Sequence, residues 1–460
     1  MAIMRKYFLL IVFITLIRQP LMKKILILSV LVFSLFAQEE GSAKKEEGGL
    51  IHTKQEGRYK AVPVLPEKAA DLDQAFDYAK PFAVFRLADI MVEQDGLEAY
   101  GIDGSKSSGT AFGGIFGFDT AAVYGLQLHL GAYVSQPCCS PSDRQKRNTE
   151  LFDAEGDGFV YIGEAGVAYE NQMLQAKAGR IRIETPYADS DDIRMVPNSF
   201  EGAWASLNIG ENWQVQAYAL RRWAGVDSGD DQNKFKPFVD GGYGVSGASL
   251  TYNIDDENDL SLWYYNVGKE SDIVYAEGTG QVDFSGGFHM EWGIQGTHIR
   301  ELSGSGVAGD VAGGMLIADF DTLYIGSAYN HVFTQNNAII SDGFGGGPYY
   351  TSLDEQTIGA VSELAPGKDL KVFRIALGLD LTALGVKGLN LEFVHGHFLV
   401  EKSPAEVEES DVMLTYTITD RWYLESIYSN VNMINVDYTD PDNRELRDFR
   451  RLVTRLDYAF

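Results

Sequence analysis

Arginine recurs in this chain where strand alternation sets it opposite an apolar face. In the last segment, Leu452, Thr454, Leu456, Tyr458 and Phe460 share one side, while Arg451, Arg455 and Asp457 share the other. From Trp213 to Trp223, Gln214, Gln216, Tyr218 and Arg222 alternate with Val215, Ala217 and Ala219. From Lys371 to Leu381, an apolar side made of Phe373, Ile375, Leu377, Leu379 and Leu381 leaves Arg374 and Asp380 on the polar side. Arg86 would face inward together with Phe82 and Val84. Arg180 and Arg182 share a face that conflicts with Gln175 and Lys177 lower on the same strand, a conflict that a bulge at Gly179 would reconcile. Arg194 lies on a loop expected to fold inward. A guanidinium facing a narrow wet lumen acts on a passing ion at short range, where lower effective dielectric strengthens it. The plainer alternative is an ion pair with a neighbouring carboxylate such as Asp457 or Asp380. The expected pore-lining set is Arg86, Arg180, Arg182, Arg194, Arg222, Arg374, Asp380, Arg451, Arg455 and Asp457.

Other groups could carry chemistry but are read more plainly. His395 and His397 share a strand face, but two histidines without a third ligand make a poor metal site, and aromatic-girdle packing is expected. Three loops are rich in carboxylates: Asp189, Asp191 and Asp192; Asp227, Asp230 and Asp231; Asp437, Asp440 and Asp442. Calcium favours such oxygens, but solvated loop charge is the expectation. The only cysteines, Cys138 and Cys139, are adjacent in a loop, where they form a strained vicinal disulfide or link two chains. The seven histidines are scattered outside any hydrolase motif. No catalytic residue, metal or cofactor is expected.

These side chains need strands with one dry face and one wet face. The closing segment has that period of two, and it ends on an aromatic residue as outer-membrane barrels do. Connections alternate between short and long, the short ones including Glu170-Asn171, Gly210 to Asn212 and Thr419 to Arg421. The long ones include Ser135 to Gly158, Glu184 to Asn198 and Thr334 to Lys368. Counting back from Phe460 predicts an all-β transmembrane antiparallel barrel of about 18 strands of about 10 residues each, with short periplasmic turns and long extracellular loops. An even count of this size leaves a water-filled lumen and so a passive diffusion channel. Residues 1–37 read as a signal peptide, with 1–21 a mis-called extension; residues 38–80 are a periplasmic lead-in, and 81–460 are the barrel. The net charge of -27 argues against nucleic acid.

At Gly179-Arg180, Glu184-Thr185-Pro186 and Asp191 to Ala203, with Arg194-Met195-Val196-Pro197-Asn198 and Phe200-Glu201-Gly202 inside it, the chain resembles the OprD-type outer-membrane porins. The Gly-rich strand Gly109 to Gly117 and the ending Arg455 to Phe460 also resemble that family. The resemblance implies 18 strands and passage of small solutes, carboxylate-bearing ones among them, past lumen-facing arginines. It implies export to the outer membrane, with lipid and lipopolysaccharide around the barrel, ions and small hydrophilic solutes inside it, and a monomeric or trimeric state. Two other classes remain open: an adhesin or structural barrel with a plugged lumen, and an outer-membrane hydrolase.

Overall fold

The computed structural model describes residues 59–61 and 67–460, except 230, 286, 321, 440–443 and 445. The expected signal peptide, its extension, most of the lead-in, and Asp230, Asp440 and Asp442 lie outside the described residues. Eighteen long strands follow one another. They are β1 (Lys80–Gln94), β2 (Ser105–Asp119), β3 (Leu126–Pro137), β4 (Phe159–Glu170), β5 (Leu174–Ile181) and β6 (Ser199–Ile209). Next come β7 (Trp213–Ala224), β8 (Val245–Asn253), β9 (Asp259–Val267), β10 (Ser271–Phe284), β11 (Phe288–Glu301) and β12 (Gly309–Asp319). The last are β13 (Leu323–Thr334), β14 (Leu370–Asp380), β15 (Leu389–Val400), β16 (Glu406–Thr419), β17 (Trp422–Ile434) and β18 (Phe449–Ala459). Each is antiparallel to the next, and β1 pairs with β18 from Val84↔Ala459 to Gln94↔Phe449. Closure leaves neither edge open, so the backbone groups of the wall are satisfied within the wall.

Alternation produces the two surfaces. On β14, Phe373, Ile375 and Leu377 are exposed outward, while Val372, Arg374 and Ala376 are buried inward. On β1, Phe85 and Leu87 face out, while Arg86, Ala88 and Ile90 face in. Aromatic pairs such as Trp213–Tyr252 and Trp422–Tyr458 mark the end of the barrel with the short turns. The connection at Gly268 to Glu270 is only three residues long although it lies at the long-loop end, and Lys269 turns it with φ +71°.

Two loops leave the rim and fill part of the barrel. Residues 182–198 follow β5, and residues 335–369 follow β13 and carry a short helix, α1 (Ile358–Leu364), capped by Thr357. They hydrogen-bond to each other: Asp189 N donates to Phe344 O at 2.9 Å, and Phe344 N donates to Tyr187 O at 3.1 Å. Glycine allows this approach. A Cβ on Gly345 would lie 2.4 Å from Asp189 O, and φ there is +128°. A Cβ on Gly343 would lie 2.6 Å from Tyr187 O. No L side chain fits such a seam without displacing one of the loops.

Candidate functional site

The lumen beside the closing seam is built from charge. Arg86 is 2% exposed and points inward from β1. Its Nε and Nη2 donate to the two oxygens of Asp457 across the seam, each at 2.8 Å. Its Nη1 donates to Asp192 Oδ1 at 2.6 Å and to the carbonyls of Arg194 and Met195 at 2.8 and 3.1 Å. One rigid fork therefore ties the wall to the first inserted loop. Arg451, on β18, holds the second loop through Asp354 at 2.7 Å and an ion pair with Glu355. It also reaches Glu150 at 2.9 Å, which Arg194 binds from the other side. Arg455 donates to the carbonyl of Asp192 and stands 3.6 Å from both Glu425 and Asp457.

These pairs set the ionisation of the loop carboxylates. Burial alone would raise Glu150, but Arg451 and Arg194 beside it hold it at about 2. Asp192 is likewise held at about 2 against its burial, mainly by Arg86. About a third of the Asp192 side chain still meets the lumen, so bulk water screens that pair in part. Asp354 is pulled below the usual carboxylate range by Arg451, again against its burial. All three anions stay charged at neutral pH.

The expected pore-lining residues thus occupy different places. Arg86, Arg182, Arg455 and Asp457 border an open cavity of about 810 Å³. Arg182 lies just past β5, 40% exposed, with Nε donating to Glu164 at 3.2 Å. Arg194 and Arg451 face inward but are sealed between loop and wall. Arg374 is also inward and sealed, with Nη1 donating to Tyr350 O at 3.1 Å under the second loop.

Three expectations need correction. Arg222 does not share the face of Gln214, Gln216 and Tyr218. Gly202 pairs with Leu220 and Glu201 with Arg222, so Arg221 is an extra residue that reverses the alternation. Trp223 turns inward instead. Arg180 needs no bulge at Gly179, because its register with β6 is continuous, and it borders a second cavity of about 620 Å³ together with Lys177, Arg182 and Glu164. Arg180 and Arg222 converge on Glu201 near the rim, and Arg180 lies 4.4 Å from the Phe235 ring centroid. Asp380 keeps inward parity but caps the turn after β14, accepting from Thr382 N at 2.8 Å. His395 and His397 differ from expectation as well: instead of packing in a girdle, they hydrogen-bond across to Ser410 and Glu406 on β16. Cys138 and Cys139 are free thiols 3.7 Å apart.

The sequence reading missed the partners of the arginines. Glu150, Asp192, Asp354 and Glu355 sit in loops where carboxylates are ordinarily solvated, and strand alternation says nothing about loops. It also missed Arg421, which borders the cavity at the short turn between β16 and β17.

The opposite wall carries aromatic rings. Trp204, Tyr218, Trp263, Tyr265 and Tyr275 point inward from β6, β7, β9 and β10, and Tyr187 and Tyr349 of the loops pack on them. The Tyr187 and Tyr349 hydroxyls lie 2.8 Å apart. The cavity is displaced to the charged side and runs from Asp227 and Gly346, among the loops, to Thr419, Asp420 and Trp422 at the turns. It therefore extends from beneath the inserted loops to the short-turn end of the barrel.

No family model and no curated protein sequence matches the chain. Solved structures do match in fold. OccK9 (OpdG) of Pseudomonas aeruginosa superposes with a TM-score of 0.71 at 13% identity, covering 84% of this chain and 99% of that one. OpdK of the same species, titled with vanillate, gives 0.68 at 14% identity, with 84% and 99% covered. OccK2 (OpdF), titled in complex with glucuronate, gives 0.63 at 14% identity, with 83% and 96% covered. OpdK is also titled an outer membrane protein. The chain has the fold of the OprD-type porins, a closed antiparallel barrel of 18 strands.

Proposed function

We propose that this protein is an outer-membrane channel for passive diffusion of ions and small hydrophilic solutes, carboxylate-bearing ones among them. One observation carries the reading: a closed 18-stranded barrel holds a charge-walled cavity of about 810 Å³ that runs from the inserted loops to the short-turn end. The outward belt of Phe, Leu and Ile supplies the lipid-facing surface such a channel needs. Arg182, Arg86, Arg455 and Arg421 border the cavity, and Arg182 and Arg421 are placed to offer N–H groups to a carboxylate in transit. Arg86 and Arg455 are committed to pairs, so Arg182 and Arg421 are the more accessible donors. The vanillate and glucuronate found with two structural neighbours fit this chemistry.

Planar bilayers test the reading. Folded protein should give stepwise current, and glucuronate added on one side should interrupt it briefly. A correctly folded, heat-modifiable sample that gives no discrete steps would favour the plugged adhesin instead.

A further inference from the structure

The inner face of β7 holds a piece of this chain that is not part of the barrel. Tyr59, Lys60 and Ala61 lie against Gln214 and Gln216, more than 150 residues away in sequence. Gln214 clasps Ala61 at two points: its Oε1 accepts from Ala61 N at 3.1 Å, and its Nε2 donates to Ala61 O at 2.9 Å. Gln216 Nε2 donates to Tyr59 O at 2.8 Å. The glutamines are two apart on one strand face and their targets are two apart in the segment. Both intervals are about 6.6 Å in extended chain, so the registers match. The amides are fixed in advance, because Trp204 Nε1 donates to Gln216 Oε1 at 3.1 Å and Gln216 Nε2 donates to Gln214 Oε1 at 3.0 Å. The Tyr59 ring sits edge-on to Trp263, with centroids 6.1 Å apart.

We propose that this glutamine pair and Trp263 form a docking surface for an extended backbone, and that the segment preceding the barrel occupies it as an internal narrowing of the pore. Three features support this. Gln214 and Gln216 are only 2% and 1% exposed, although each has polar atoms that would otherwise need lumen water. The contacts go to backbone groups, which bind through position rather than side-chain identity. Tyr59 also borders both the main cavity of about 810 Å³ and a second of about 620 Å³ beside it. The segment therefore stands at the junction of the two spaces, beside Arg182 and Glu184. It belongs to the short-turn end: Gln214 directly follows the β6–β7 turn, and Lys68–Ala69 pairs with Ala122–Val123 in the β2–β3 turn.

The proposal rests on the channel reading, and two independent measurements separate them. In bilayers, the full chain carrying Gln214→Ala and Gln216→Ala should conduct more than the parent. A chain exported to begin at residue 62 should show the same rise, and adding the two glutamine changes to it should add nothing further. A peptide spanning residues 55–64 should partly block only the truncated channel. Equal conductance in parent and truncated chain, without peptide block, overturns the proposal. The second measurement is hydrogen exchange in micelles. The Ala61 amide should be protected in the parent and should lose that protection in the double variant. If no variant conducts but protection behaves this way, the channel reading fails and the docking stands. If Ala61 exchanges freely in the parent, the docking itself is wrong.

Discussion

The two sides of the lumen hold the same inserted loops by different means. Near the β1–β18 seam, Arg86, Arg451 and Arg455 grip carboxylates and carbonyls of the loops. Across the barrel, Trp223, Tyr265 and Tyr275 grip Tyr187, Phe344 and Tyr349 by packing. The cavity of about 810 Å³ lies on the charged side. Rings close a space by filling it and exclude water. Guanidinium and carboxylate groups are costly to desolvate completely, so the side they occupy remains wet. The contrast teaches that hydration and closure are assigned to opposite walls.

The largest effects should come from breaking either grip. Trp263→Ala should cost about 3–5 kcal/mol in urea unfolding from micelles, with little dependence on salt. Arg86→Met should cost about 3–5 kcal/mol as well, because it leaves Asp192 and Asp457 without their shared cation. That loss should shrink when Asp192→Asn and Asp457→Asn are added. If the triple variant is no more stable than Arg86→Met alone, the ion pairs do not account for the anchoring.

Next is the seam where the loops meet. Gly345→Ala should cost about 1–3 kcal/mol, since it combines a left-handed φ with a backbone clash at Asp189. Unfolding and open-channel current noise both report it. An unchanged noise spectrum would separate this seam from the permeation path.

Acid should then distinguish the walls. Glu150 and Asp192 sit at about 2 in the folded protein, below their ordinary values of 4.5 and 3.8. Their stabilisation is therefore complete above those ordinary values and is lost as pH falls toward 2. Proteolysis of residues 182–198, which Asp192 and Glu150 anchor, should stay constant from pH 7 to about 5 and rise between about 4 and 2. Release of the loop already at pH 6 would contradict the ion-pair account.

The smallest effect concerns selectivity. Arg182→Gln removes an exposed lumen cation and should shift the permeability ratio about twofold toward cations at low salt. Screening within about 8 Å should reduce that shift at physiological ionic strength. Reversal potentials that match the parent across the salt series would remove Arg182 from the path.

Much of the wall was legible because a strand between lipid and water obeys one local rule. Phe373, Ile375 and Leu377 opposite Arg374 show it, as do Leu452 and Leu456 opposite Arg451 and Arg455. The rule misled where one residue broke the count. Arg221 reverses the face of Arg222, and nothing in its own side chain announces a bulge. At Arg180 a bulge was invoked that the continuous register with β6 does not need. His395 was read as girdle packing because no third metal ligand accompanies it, and its Nδ1 lies 2.9 Å from the Ser410 hydroxyl on the next strand.

Local alternation and turn spacing determined the strand number, the lipid face and the inward placement of Arg86, Arg374, Arg451 and Arg455, because each depends on neighbours within a few residues. Which arginines border open water was decided only by the tertiary structure. Asp192 meets Arg86 across 106 residues, Asp457 meets it across 371, and Tyr59 meets Gln216 across 157. Those pairings depend on closing the barrel and inserting two loops, and no periodicity within a strand records where a loop will come to rest.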